Sequence, residues 1–185
     1  MPVPSFDTIL HVLPPHLGDP RQISDLSPYV CTVAEFCDSF ATTAKRKEIL
    51  EGFLKLRAEL LALGIHGFQW LDGSFMENIE SQEGRDPKDI DVVTFVHSPI
   101  DPGALAAILV PKPELMYPDQ TRRVFFSDHY FVSLGSRPDR VVSQVRYWYA
   151  LFSHRRDGQW KGMLEIGLAN KADDDAAWMV LRSKP

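Results

Sequence analysis

The stretch Trp70-Leu71-Asp72-Gly73-Ser74-Phe75, followed by Asp89-Ile90-Asp91-Val92-Val93, decides how this chain is read. Phe68-Gln69-Trp70-Leu71 has the aromatic and apolar content of a short strand. Asp72-Gly73-Ser74 then has the chemistry of a tight turn, leading into a short helical segment over Phe75 to Ile79. A strand that ends in Gly-Ser and enters a helix presents unpaired backbone N–H groups beside a serine hydroxyl, a combination that suits a phosphate. Ile90 to Val96 is the clearest strand in the chain, because β-branched and aromatic residues dominate it. Asp89 and Asp91 stand two apart at its start, so on a strand their carboxylates leave the same face, about 7 Å apart at the backbone. Paired carboxylates of this kind can hold one or two Mg2+ ions against a triphosphate. Each feature alone has a bland counterpart, since Gly-Ser is common and Asp-x-Asp at a strand start can be a solvated edge. Together, Gly-Ser after one strand and Asp-x-Asp leading the next supply what a metal–triphosphate site needs.

Outward from this segment, strands and helices are interspersed. Upstream, Ile49, Phe53, Leu56, Leu60 and Leu63 recur at helical steps from Thr42 or Thr43, which predicts an amphipathic helix of about five turns stopped at Gly64. Thr32 is placed to cap a shorter helix through Phe36, Cys37 and Phe40. Met1 to Pro28 carries six prolines and reads as an irregular leader packed on the domain. Downstream, Glu80 to Lys88 reads as a polar loop. Asp101-Pro102 caps and opens a short helix, and a loop bearing Pro111, Pro113 and Pro118 follows. Strand character returns around Asp128-His129-Tyr130-Phe131-Val132. Asp139 is placed to cap a last long helix through Trp148 and Phe152, and Lys161 to Leu168 reads as another strand. The expected fold is a single α/β (α+β) domain over residues 1–185, with a small mixed sheet and helices mainly on one face.

The whole chain has 185 residues and a formal net charge of −5, which disfavours bulk-charge binding to long nucleic acid while leaving room for a local basic patch. No window offers the roughly 20 apolar residues of a membrane span, and the start lacks the layout of a signal peptide, so the expected location is cytoplasmic, with no membrane partner. Cys31 and Cys37 lack the partners of a zinc site and read as reduced packing residues.

The pattern apolar-Gly-Ser, spacer, Asp-x-Asp resembles the nucleotidyltransferase superfamily of the DNA polymerase β type, including its minimal members. The likeness extends to small uncharacterised bacterial proteins assigned to that superfamily. It covers Leu13-Pro14-Pro15, the helix start near Arg46, both motifs with Pro87-Lys88 before the second, Asp128 to Val132, and Tyr147-Trp148 through Lys161-Gly162. The resemblance implies that Gly73 and Ser74 contact the β and γ phosphates, with Lys88 in reach of the nucleotide. It implies that Asp89 and Asp91 bind Mg2+ or Mn2+, and that a third carboxylate on an adjacent strand, for which Asp128 stands, completes the set. The alternative for Asp128 is a loop aspartate before a strand. The chain departs from minimal members in having a longer spacer, with Met76-Glu77-Asn78 where they often carry an arginine.

The implied activity is metal-dependent transfer of a nucleoside monophosphate from an NTP, ATP first among them, to a hydroxyl of a protein or an RNA such as tRNA. By family analogy the setting is a bacterial toxin–antitoxin or phage-defence module, with a cognate partner protein from a neighbouring gene. The competing expectation is a catalytically degenerate nucleotidyltransferase fold that binds a partner, as an antitoxin would. A metal nuclease using the same carboxylates is a third. Arg85 and Lys88 are either phosphate contacts or ordinary loop charges. His97 and His129 read as structural. Arg146-Tyr147-Trp148-Tyr149 with Arg155, Arg156 and Lys161 either packs the core or offers an aromatic and cationic platform for single-stranded RNA.

Overall fold

The sheet is built from β1 (Tyr29–Cys31), β2 (His66–Asp72), β3 (Ile90–Ser98), β4 (Ser127–Ser133) and β5 (Leu164–Leu168), in the spatial order β1-β5-β2-β3-β4. The two outer pairs are parallel and the inner two antiparallel, so the sheet is mixed. The helices are α1 (Val33–Phe40), α2 (Ala44–Ala62), α3 (Ile79–Glu83), α4 (Pro102–Leu109), α5 (Pro113–Met116), α6 (Pro118–Phe125), α7 (Pro138–Phe152) and α8 (Lys171–Ser183). This computed structural model describes residues 3–184; Met1 and Pro2 of the expected leader, and Pro185, lie outside the described residues. The α/β reading of the sequence is what the chain adopts.

Strand alternation divides the residues between two faces. On one face Leu71, Ile90, Val92, Leu164 and Ile166 pack against α1, α2 and α8 around Phe36, Leu50 and Phe53. The same face continues over Val96 and Leu168 to α4, α5 and α6, which carry the crossover between the parallel strands β3 and β4. On the other face Trp70, Val93, Phe95 and Val132 are covered by α7 through Trp148 and Phe152. Helices therefore lie mainly on one face, and the second face is roofed by α7.

Local signals explain the best-defined elements. Thr32 caps α1 in a reciprocal capping box with Glu35, and the Thr43 hydroxyl accepts from the Arg46 N–H at the start of α2. Gly64, at φ 72°, is the left-handed residue that ends α2. Asp101 caps α4 with Pro102 in its first turn.

Several expectations are corrected. The helical segment after Gly73 is split into a single 3-10 turn, Ser74–Met76, and α3, which occupies part of the expected loop over Glu80 to Lys88. Pro113 and Pro118 open α5 and α6 where a loop was expected, because proline fits a first helical turn as well as it fits a loop. The N-cap of α7 is Arg137, with Pro138 and Asp139 inside the first turn, and α7 is followed by α8. The described part of the leader forms no long helix, yet Val12 and Leu13 are fully buried, and Val12 bridges to Glu77 beside the Gly-Ser turn. Cys31 and Cys37 are unpaired and buried, and burial pushes both thiols up to about 12.

Candidate functional site

Backbone pairing sets Asp72 opposite Asp91 and Asp91 opposite Asp128. Asp72 ends β2 two residues beyond Trp70, Asp91 precedes Val93 by two, and Asp128 precedes Tyr130 by two and Val132 by four. All three carboxylates therefore stand on the α7 face, in one row across β2, β3 and β4. Asp89, two residues before Asp91, joins them from the approach to β3. The structure thus brings together Asp89, Asp91 and Asp128, and adds Asp72.

Gly73 turns the chain at the end of β2 with φ 88°, and a Cβ there would lie 2.8 Å from Asp91 Oδ2. Only glycine lets the turn pass this close to the carboxylate, so Gly73 and Ser74 sit directly against the row. Because Ser74 opens a 3-10 turn of three residues, any phosphate contact there comes from individual turn groups without the dipole of a longer helix. Lys88 is exposed and, among the described residues, its side chain makes no ion pair or hydrogen bond. Arg85 pairs with Glu83 on the surface.

The turn is held from below by buried cations. Arg46, 2% exposed, donates from Nη1 to the Phe75 carbonyl at 2.7 Å, from Nη2 to the Glu77 carbonyl at 2.6 Å and from Nε to Glu80 at 2.6 Å. Lys161, arriving just before β5, is 3% exposed; its Nζ donates to the Gly73 carbonyl at 3.2 Å and lies 2.9 Å from both Asp72 Oδ1 and Glu77 Oε1. Arg155 reaches Glu77 from the other side at 2.8 Å. From the sequence, Lys161 belongs to a run that either packs the core or forms an aromatic and cationic platform; in the structure it is buried and fixes the Gly-Ser turn.

At the opposite end of the row stands Arg122 of α6, with Nε 2.7 Å from Asp89 Oδ2 and Nη2 in a short contact with Asp128 Oδ2. Two sites on one guanidinium thus draw Asp89 and Asp128 together. Sequence reasoning did not single out Arg122, Asp72 or this role for Lys161. The available signal was parity: once β2, β3 and β4 are aligned, their first or last aspartates fall in one row.

The electrostatics are those of crowded acids in a partly dry place. Burial, then the charges of Asp89 and Asp128, raise Asp91 from 3.8 to about 6. Burial raises Asp72 to about 7, although Lys161 beside it favours the ionised form. Burial works against the charged form of Lys161, but Asp72 and Glu77 outweigh it and hold its amine above the ordinary lysine range. Asp128 Oδ1 is buried without a hydrogen-bond partner. Perturbed acids gathered in a cleft are the signature of a functional site. Hard carboxylate oxygens suit Mg2+ or Mn2+, and Asp89, Asp91 and Asp128 are of the chemical type that would hold such an ion. With Arg122 in place, no group of three His, Cys, Asp or Glu side chains among the described residues converges as a metal's ligands would.

Two other candidates separate. His129 is buried on the opposite face, its Nε2 2.7 Å from Thr94 Oγ1, and burial depresses its pKa to about 3; His97 is exposed. Of the aromatic run on α7, Trp148 is in the core while Tyr147 and Tyr149 are exposed, so the packing expected of Tyr149 holds only at its edge, 6.4 Å from the Trp70 ring.

No helix of the described residues is long and apolar enough to cross a membrane. No curated protein and no solved structure matches the chain. A family model described as a family of unknown function, DUF6932, matches residues 4–167, and the chain belongs to that family.

Proposed function

We propose that the cleft is a nucleotidyl-transfer site, which passes a nucleoside monophosphate from an NTP to a hydroxyl of a protein or RNA. The observation that carries this reading is the row of Asp72, Asp91 and Asp128 with Asp89 beside it, lying against a Gly73 turn that tolerates no Cβ. In such a site the Gly73-Ser74 turn binds the β and γ phosphates, and Lys161 and Arg46 keep that turn fixed while the nucleotide enters and leaves. Asp89, Asp91 and Asp128 would hold Mg2+ or Mn2+, which when bound neutralises phosphate charge and acidifies the acceptor hydroxyl. In this reading Asp128 takes the acceptor's proton, a role supported by its Oδ1, which is buried without a hydrogen-bond partner. Arg122 supplies a positive charge at the carboxylates and can turn toward a phosphate, being 47% exposed.

One observation favours a second reading. Arg122 already neutralises Asp89 and Asp128, as it would in a degenerate fold that binds a partner protein without turnover. The two readings separate by incubating purified protein with labelled NTPs and Mg2+ or Mn2+, offering bulk tRNA and the neighbouring gene's protein as acceptors. The Asp89→Ala/Asp91→Ala protein serves as control. Transfer that depends on metal and on both aspartates supports the enzyme. Absence of both transfer and metal-dependent NTP binding overturns it.

A further inference from the structure

On the face of the sheet opposite the carboxylate row, Asp174, Arg57, Gln69, Thr94 and His129 form a continuous hydrogen-bonded relay. Arg57 of α2 donates from Nε at 2.9 Å and from Nη2 at 2.6 Å to Asp174 Oδ1 of α8. It also donates from Nη2 to the Gly167 carbonyl of β5 at 3.0 Å, and from Nη1 to Gln69 Oε1 of β2 at 2.8 Å. Gln69 Nε2 donates to Thr94 Oγ1 of β3 at 2.9 Å, and Thr94 Oγ1 lies 2.7 Å from His129 Nε2 of β4. The relay thus visits β5, β2, β3 and β4 in the order in which they lie in the sheet. All of these side chains are buried, Arg57, Gln69 and Thr94 completely. The nucleotidyl-transfer reading uses none of them.

The relay has one direction. An arginine only donates, so the oxygen of the Gln69 amide faces Arg57 and its nitrogen faces Thr94. The Thr94 hydroxyl accepts from Gln69 and, among the described residues, has only His129 as a further partner, so its proton goes to His129 Nε2. His129 is therefore the neutral tautomer with its hydrogen on Nδ1. That nitrogen makes no hydrogen bond of normal geometry, and the Leu115 backbone is the polar group beside it. Stability alone does not call for such a relay, since a buried ion pair can often be replaced by well-packed apolar side chains without loss. What the relay supplies is register. As an edge strand, β4 is paired to β3 alone. A slip of two residues keeps every apolar side chain on its own face, yet carries Asp128 about 7 Å along β3 from Asp91. The Thr94–His129 hydrogen bond forms in one register only.

We propose that His129 is a positioning residue for Asp128. It follows Asp128 on β4 and, by strand alternation, points to the opposite face of the sheet. Its bond to Thr94 fixes the start of β4 in the register that pairs Asp91 with Asp128 and Val92 with His129. Thr94 is itself held by Gln69, and Gln69 by Arg57 and Asp174, so the place of Asp128 is referred across the sheet to α2 and α8. His129 touches neither metal nor nucleotide; it acts through Asp128. The inference rests on the nucleotidyl-transfer reading for what Asp128 is positioned to do, while the register is a property of the metal-free protein.

The test uses the full chain and three variants: Thr94→Val, which removes the hydroxyl and keeps the shape, His129→Leu, and His129→Gln, which restores an acceptor where Nε2 stands. Nitrogen NMR of the wild-type imidazole should show the Nδ1–H tautomer; the Nε2–H tautomer overturns the relay. Without metal, amide exchange in Thr94→Val and His129→Leu should show a local loss of protection over Asp128 to Tyr130. The loss expected is roughly 2- to 13-fold, the worth of one hydrogen bond. The β2–β3 amides keep their protection, and His129→Gln stays close to wild type. The Mg2+ concentration giving half the Tm rise should increase in Thr94→Val and His129→Leu by no more than the same factor, and return in His129→Gln. A wild type that binds neither Mg2+ nor NTP overturns the cleft reading, and the exchange pattern still decides whether His129 sets the register. If Mg2+ raises the wild-type Tm while Thr94→Val and His129→Leu keep its midpoint and its protection at Asp128, the positioning role is wrong. Protection lost evenly across the sheet, as from a merely structural residue, also overturns it.

Discussion

Replacing Asp91 with asparagine should make the metal-free protein more stable, and the size of the gain can be worked out. Burial and the charges of Asp89 and Asp128 raise its pKa from 3.8 to about 6. Between those values the folded protein holds a proton that the unfolded chain has released, so stability falls as pH rises through the window. The full cost is present above it. A shift of two units is worth up to about 3 kcal/mol at 1.36 kcal/mol per unit. An asparagine side chain at this position carries no charge and escapes that cost. For a domain of this size the gain corresponds to a rise of roughly 6–12 °C in Tm. Thermal melts in EDTA at about pH 8 should show Asp91→Asn above wild type, with the gap closing toward about pH 4, where the native aspartate is protonated. Added Mg2+ should then raise the wild-type Tm and leave the variant's unchanged. The reasoning is refuted if Asp91→Asn melts below wild type at the higher pH, or if the gap does not depend on pH. Either outcome would mean that Asp91 is a satisfied structural carboxylate.

Other consequences can be measured in the same way. Lys161→Met leaves Asp72 and Glu77 buried without their amine, and urea unfolding should report a loss of about 3–5 kcal/mol, as when one partner of a buried ion pair is removed. Arg122→Gln removes the charge that shares Asp89 and Asp128, so the Mg2+ concentration giving half the Tm rise should fall; an unchanged or higher midpoint would show that Arg122 does not compete with metal. For His129 the sign is opposite to that of Asp91. Its pKa is depressed by burial to about 3, so its contribution to stability is complete above the ordinary value of 6.5 and is lost as pH falls toward 3. In His129→Gln, stability measured by urea unfolding should decline less steeply across that window than in wild type.

What the sequence disclosed depended on how local each cause was. The long helix α2 carries its own cap and its own stop in Thr43 and Gly64, and β3 carries its β-branched run, so both were legible in a short window. The three residues of β1 are a strand only because β5 lies beside them, and their pairing partner is more than a hundred positions away. Pro113 and Pro118 looked like loop residues because the same fixed φ serves a turn and a first helical turn. Within the cleft, Asp89 and Asp91 were legible from their spacing on one strand, and Asp128 only through the family resemblance, which calls for a third carboxylate on an adjacent strand. Asp72 was quoted within the motif yet not singled out, because its place in the row follows from the register of β2 on β3. Arg122 and Lys161 depend on where α6 and the approach to β5 come to rest, which no local pattern encodes.

The position of Lys161 has a consequence for the order in which the molecule is completed. The strands β2, β3 and β4, with their aspartates, occupy one continuous stretch of chain, from His66 to Ser133. The amine that grips the Gly73 carbonyl belongs to a segment made later, just ahead of β5, which lies between β1 and β2. During synthesis the row of acids therefore exists before the turn that would seat a nucleotide has been locked. A chain stopped short of Lys161 carries the acids with the turn's carbonyls held by the side chain of Arg46 alone. Hydrogen exchange during refolding should accordingly protect the β3–β4 amides before those of Ser74 to Glu77.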